Sequence, residues 1–255
     1  NLDYSNDLII RNESTNLVVT WDDLIEEVDK SEIIIIGELH NHVKAHVFQY
    51  DLLKYLINEF PSSTLALEML ERDEQILIDD YFEDIITSKK FASLTNSTNW
   101  AGKDTWMPWY QPLIDVYKQN NGKVIGANAP RRYVTLSRKQ GYESLKDLSK
   151  DRKKYVDFYE PILKGNYKQR FYELAGYDGE EDLQEDETSN LFSFYRAQLV
   201  WDATMASTIA SLNPTIKSKA ILIVGKFHVE YDGGLIEILN KIKPNKKTLS
   251  ITVHE

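Results

Sequence analysis

Ile33-Ile34-Ile35-Ile36-Gly37-Glu38-Leu39-His40 is the stretch that decides the fold. Four consecutive β-branched residues are stiff at χ1 and favour an extended chain. No polar residue alternates with them, so neither side of the strand faces water. A strand covered on both faces belongs to a parallel sheet between helices. Four more runs share the pattern: Leu65–Leu67, Val124–Ala127, Ile221–Val224 and Leu249–Val253. Each is short, aliphatic and bounded by polar residues or glycine.

Helical spacing fills the gaps. Leu52, Leu53, Leu56, Ile57 and Phe60 recur after the first run, Leu113, Val116 and Tyr117 before the third, and Leu235, Ile238, Leu239 and Ile242 before the last. Thr20 is a suitable N-cap for a helix whose first turn carries Asp22 and Asp23. Strand–helix–strand alternation predicts an α/β fold with a mostly parallel central sheet and right-handed crossovers. Between Ala127 and Ile221 no strand-like run occurs. Helices are expected near 142–160, at 166–175 and from Asn190 to Leu212, the last capped by Ser189 and stopped before Pro214. Residues 1–139 and 201–255 are thus read as the sheet domain, and 140–200 as a smaller all-helical subdomain. Asp178–Glu187 carries seven acids in ten residues and reads as a solvated loop.

The bulk numbers narrow the function. The 255 residues are 42% hydrophobic and 27% charged, enough for one sizeable core. A net charge of -10 without a Lys/Arg run argues against nucleic acid as a partner. With no cysteine, disulfides, thiolate metal sites and cysteine nucleophiles are excluded. The sequence opens at Asn1 with no Met and no apolar leader. Two readings stay open: a targeting segment has been removed, or the sequence starts late.

Ligands in parallel sheets bind beyond the carboxyl ends of the strands. The chemistry-bearing residues sit at such ends. The first strand runs into Gly37, Glu38, His40 and His42, with His46 shortly after, and the second ends in Glu68. The third ends in Asn128-Ala129-Pro130-Arg131-Arg132, and the fourth in Gly225-Lys226-Phe227-His228. Four of the five histidines therefore follow two strands. Glu38, His40, Glu68 and His228 are expected to share one polar pocket, able to move protons, hold a metal or bind a carboxylate ligand. Nearby, Tyr155, Tyr159, Phe171, Tyr177, Tyr195 and their neighbours form an aromatic-rich region that reads either as helix core or as a wall for a flat apolar ligand. No G-x-S-x-G, H-E-x-x-H, P-loop or G-x-G-x-x-G motif is present.

At these residues the sequence resembles the ChaN-like family, haem-binding lipoproteins of Gram-negative bacteria. The likeness is carried by Gly37-Glu38-Leu39-His40-Asn41-His42 through His46, Ala66-Leu67-Glu68-Met69 followed by Gln75, and Trp109-Tyr110-Gln111-Pro112-Leu113. It continues through Asn128–Arg132, Ala197-Gln198 with Asp202 and Met205-Ala206, and Gly225–Gly234. Two departures stand out. Lys226 replaces a residue more often small or polar, and Val47 stands where a second adjacent histidine often occurs.

The resemblance implies a haem carrier or store in iron acquisition, with ferric haem held by a tyrosinate at a ligand-linked homodimer interface and a partner histidine on the propionates. It also implies a lipid-anchored or periplasmic place in the cell envelope and delivery involving an outer-membrane haem receptor. Tyr195 is the first candidate for the iron ligand, with Tyr177 and Tyr133 in reserve. Arg131 or Arg132 would help the phenol ionise. His42, then His46, is the candidate for the propionates. A wider group containing erythromycin-esterase-like and TraB-like proteins shows the same arrangement. It implies a hydrolase, esterase-like or metal-dependent, that uses Glu38, His40, Glu68 and His228.

Overall fold

The computed structural model describes residues 8–160, 162–176 and 189–255. Seven strands form one sheet: β1 (Ile9–Asn12), β2 (Leu17–Val18), β3 (Ile33–Glu38), β4 (Thr64–Glu71), β5 (Lys123–Asn128), β6 (Ala220–Gly225) and β7 (Thr248–His254). Their order is β2-β1-β7-β3-β6-β4-β5. All pairings from β7 to β5 are parallel, while β1 runs antiparallel to β7 and β2.

Helices α1 (Trp21–Asp29), α2 (Val43–Glu59), α3 (Gln75–Phe82), α4 (Ser88–Leu94) and α5 (Gln111–Gln119) precede β5. After it come α6 (Arg131–Gln140), α7 (Glu143–Lys146), α8 (Lys150–Lys153), α9 (Asn166–Leu174), α10 (Asn190–Ser211) and α11 (Gly234–Ile242). The two expected caps form: Thr20 and Asp23 make a reciprocal capping box on α1, and Ser189 accepts from Phe192 N–H on α10. None of these helices is long and apolar enough to cross a membrane.

Pleating divides the buried strands between two cores. Ile34 and Ile36 of β3 pack with Ile221 and Ile223 of β6 and Leu65 and Leu67 of β4, under α1, α2 and α5. Ile33 and Ile35 pack with Leu222, Val224 and Ala66 under α10 and α11. Two covered faces explain why these strands carry no polar alternation. Tyr167, Tyr172 and Tyr195 from the helical region join that second core. Helix α10 crosses residue 200 without a break, so the helices at 166–211 share the sheet's own core.

The register puts Ile33 opposite Ala220 and Glu38 opposite Gly225. Strands β3 and β6 therefore end level and side by side. From β3 the chain crosses over β6 to β4; from β6 it crosses over β3 to β7. The crossovers depart in opposite directions and leave a crevice at the shared strand ends, the usual place for a ligand in such a sheet.

Candidate functional site

The same pleat that divides the apolar core divides the acids. Glu38 follows Ile34 and Ile36 toward α2 and α5, whereas Glu68 follows Ala66 toward α10. Each acid meets a histidine on its own side, and both histidines sit at one cavity.

On the α2 side Glu38 is buried and fully engaged. One oxygen accepts from the Tyr110 hydroxyl at 2.9 Å and lies 2.8 Å from His40 Nδ1. The other accepts from Gln49 Nε2 at 2.6 Å. A carboxylate facing Nδ1 makes that nitrogen the donor and turns Nε2 toward the pocket. The hydrogen bond to Glu38 raises the His40 pKa against the opposing effect of burial. The His40 side chain is 45% exposed. Among the described residues its Nε2 has no hydrogen-bond partner. A Cβ at position 225 would sit 3.0 Å from that nitrogen, so glycine at the end of β6 gives the ring its room.

On the α10 side His228 is enclosed. Its Nδ1 lies 2.5 Å from Asp202 Oδ1 and its Nε2 lies 3.4 Å from Glu68 Oε1. Burial opposes the charged ring, but the two carboxylates override it and raise the pKa to about 10. Burial likewise pushes Glu68 up, yet His228 and the Gly225 N–H, which donates to Oε2 at 2.6 Å, bring it below its ordinary value. Asp202 is raised, because burial outweighs its partners. Its second oxygen accepts from the Tyr167 hydroxyl at 2.7 Å, and Gln198 donates to that hydroxyl at 3.1 Å.

The cavity has a volume of about 510 Å³, within the ordinary range for a small-molecule site. Glu38 and His228 form its buried floor, Phe171, Leu174 and Phe227 line its wall, and the partly exposed His40 and Lys226 stand toward solvent. Phe227 and Phe171 approach each other at 6.3 Å between ring centroids, and Leu174 is 72% exposed. Among the described residues no group of three His, Asp or Glu side chains converges to ligate a metal ion.

The four expected polar residues thus meet, but Tyr195, Tyr133 and His46 are buried away from the cavity, which corrects their assignment as haem contacts. Tyr195 is a core residue with no exposed surface, and its hydroxyl donates to the Leu163 carbonyl at 2.9 Å. Burial raises its pKa, the opposite of what a phenolate ligand needs. Tyr133 is buried in a separate small cluster, with the Arg132 guanidinium over its ring. Tyr177 and the acidic run Asp178–Glu187 lie outside the described residues. Arg131 and Arg132 open α6 beyond β5; the backbone N–H of the first donates to Glu71, the guanidinium of the second pairs with Asp73, and neither residue lines the cavity. His46 is buried, stacked on Trp109 and bonded to Gln49 and the His40 carbonyl. His42 caps α2 by accepting from Ala45 N–H.

In the sequence Tyr110, Gln198 and Asp202 stand in the family motifs without a role, Tyr167 is one of the aromatic residues of the helical region, and Gln49 carries no signal. One signal was available. Gln198 and Asp202 lie four apart in an otherwise apolar stretch of α10, which puts two polar groups on one buried helix face.

No curated protein matches the chain. Among solved structures, ChaN of Campylobacter jejuni, determined for its cofacial heme binding, superposes with a TM-score of 0.70 at 19% identity, covering 98% of this chain and 97% of that one. The type III effector HopBA1 gives 0.45 at 13% identity over 81% and 72% of the two chains, and a Bacillus cereus protein gives 0.44 at 15% over 91% and 68%. A family model described as haem-binding uptake, Tiki superfamily, ChaN matches residues 24–239, most of the chain, and the protein therefore belongs to the ChaN haem-binding uptake family.

Proposed function

We propose that this protein binds ferric haem at the β3/β6 strand ends and serves haem uptake as a carrier or store. The observation that carries the reading is the cavity itself: an apolar wall of Phe171, Leu174 and Phe227 faces an imidazole and a lysine ammonium. A porphyrin is flat and apolar with a carboxylate edge, so the residues present fit the group. The protein's own contribution is to bind and orient that body, to exclude water from one side of it, and to offer fixed charges to its edge.

Part of the wall stays exposed, so a second copy of the chain that covers the bound haem completes the reading as a ligand-linked dimer. A tyrosinate ligand is retained as the finer part of the proposal. With Tyr195 and Tyr133 buried, Tyr177 is the remaining candidate of the three. The family resemblance supports a place in the cell envelope, lipid-anchored or periplasmic, and delivery involving an outer-membrane receptor.

The test is a titration with hemin followed by visible absorption. Binding should shift the Soret band to saturation at a defined stoichiometry, and Tyr177→Phe should remove the tyrosinate signature. A spectrum that remains that of free hemin would overturn the reading.

A second reading has its own observation. The Glu38–His40 pair presents an imidazole, oriented by a buried carboxylate, to a cavity, as a general base acting on water requires. Hydrolysis of a p-nitrophenyl ester that is lost in His40→Ala would support it; equal rates in the two proteins would exclude it.

A further inference from the structure

We infer that Lys226 is the residue with which this pocket recognises a carboxylate on its ligand. The inference rests on the haem-binding reading, in which that carboxylate is a propionate.

Three observations lead there. First, Lys226 lines the mouth of the cavity and its charge is under-used. Its nearest acid is Glu230, whose Oε1 lies 3.6 Å from the ammonium, too far for a hydrogen bond. The other Glu230 oxygen is taken by Arg170 at 2.8 Å, and Arg170 also donates to the Glu230 carbonyl at 3.0 Å. Among the described residues the three Lys226 donors have no hydrogen-bond acceptor. Second, the rim and the floor carry opposite charge. At the rim Lys226 and Arg170 face the single carboxylate of Glu230. His254 adds no charge at neutral pH, because burial and then Lys226 lower its pKa. On the floor Glu38, Glu68 and Asp202 surround two imidazoles. An anion is therefore repelled from the floor and drawn to the rim, which fixes the direction in which an amphiphile lies against Phe171 and Phe227. Third, neither residue expected to hold propionates lines this cavity: His46 is buried against Trp109, and His42 uses its Nδ1 to cap α2.

The position is also well anchored. Lys226 follows β6 directly, and its Cα would lie 3.1 Å from a Cβ at Gly37. The backbone is thus pressed against the end of β3 while the side chain remains 32% exposed. A compact ammonium on a flexible stem suits a carboxylate that arrives with its ligand rather than one built into the fold.

The test compares hemin with hemin dimethyl ester, which keeps the ring and iron but removes both negative charges. A hydrogen bond to a charged partner implies that the wild-type protein binds the free acid at least about tenfold more tightly than the ester. Lys226→Met should lose that preference through weaker binding of the free acid, leave the ester affinity unchanged, and keep its thermal midpoint. Lys226→Arg should retain the preference. A folded Lys226→Met that still discriminates overturns the inference, as does a wild-type protein that binds acid and ester equally; in both cases the haem reading stands. If neither porphyrin binds, the haem reading fails, and laurate against methyl laurate, followed by tryptophan fluorescence, decides the role of Lys226 alone. A preference for laurate abolished by Lys226→Met supports it; no preference overturns it.

Discussion

The two sides of the strand-end crevice hold the same chemical pair, a carboxylate against an imidazole, in opposite conditions. On the α10 side both nitrogens of His228 face acids, and the ring is buried. On the α2 side one nitrogen of His40 faces Glu38, and the ring is half-exposed. His228 is therefore a fixed cation that ties β6 to α10 and β4. His40 is an oriented group with one nitrogen to spare. Burial on both nitrogens makes a histidine structural; burial on one makes it available.

Removing an anchor should show the largest difference between the sides. His228→Ala leaves Asp202 and Glu68 as buried acids without their cation, and breaking such a pair costs about 3–5 kcal/mol. His40→Ala removes a half-exposed ring and one partner of the buried Glu38, which keeps Tyr110 and Gln49, and should cost about 1 kcal/mol. Urea unfolding of the two variants measures both. Equal losses would erase the distinction drawn here.

Proton titration sharpens the comparison next. The folded pKa of His228 lies above its unfolded value, so its stabilisation is complete below about pH 6.5 and is lost as pH rises through about 10. Glu68 has a lowered folded pKa, so its contribution holds above its unfolded value and fades as acid protonates it. Asp202, raised by burial, offsets part of that acid loss. Stability measured across this range should decline on the alkaline side, and the decline should be absent in His228→Ala.

A smaller effect is expected from Glu38→Gln. It keeps the shape but sets an amide where the Tyr110, Gln49 and His40 groups converge, at a cost of about 1–3 kcal/mol. It also removes the negative charge that raises the His40 pKa, which should fall toward the ordinary value in an NMR titration. The smallest effect belongs to Tyr195→Phe. Loss of its bond to the Leu163 carbonyl should cost about 1 kcal/mol, and the absorption spectrum of the hemin-treated protein should not change.

The sheet was legible because Ile33–Ile36 and its counterparts are buried on both sides, and such burial is written directly as β-branched and aliphatic runs. The short β1 and β2 carried no comparable signal: Leu17 and Val18 of β2 are exposed and pair only with β1, and β1 pairs with β7, more than 200 residues away. At the site, Glu38, His40, Glu68 and His228 could be read because strand ends converge in any such sheet. Asp202 and Tyr110 gained their meaning only from partners distant in sequence. Tyr195 misled for a related reason. A tyrosine beside an arginine on an aromatic helix resembles a ligand, and nothing in the sequence says that a backbone carbonyl at Leu163 already holds its hydroxyl.

The alternation along β3 and β4 acts as a parity rule for the chemistry. Loops around the crevice tolerate added or missing residues, but one residue gained or lost inside either strand would exchange odd positions for even. Glu38 would then turn toward the α10 core and Gly37 or Leu39 would take its place beside Tyr110, so that the acid–imidazole pairs would dissolve while the fold's outline survived. Length changes in this pocket are thus open to variation only outside the strands, and the interior can change only by substitution.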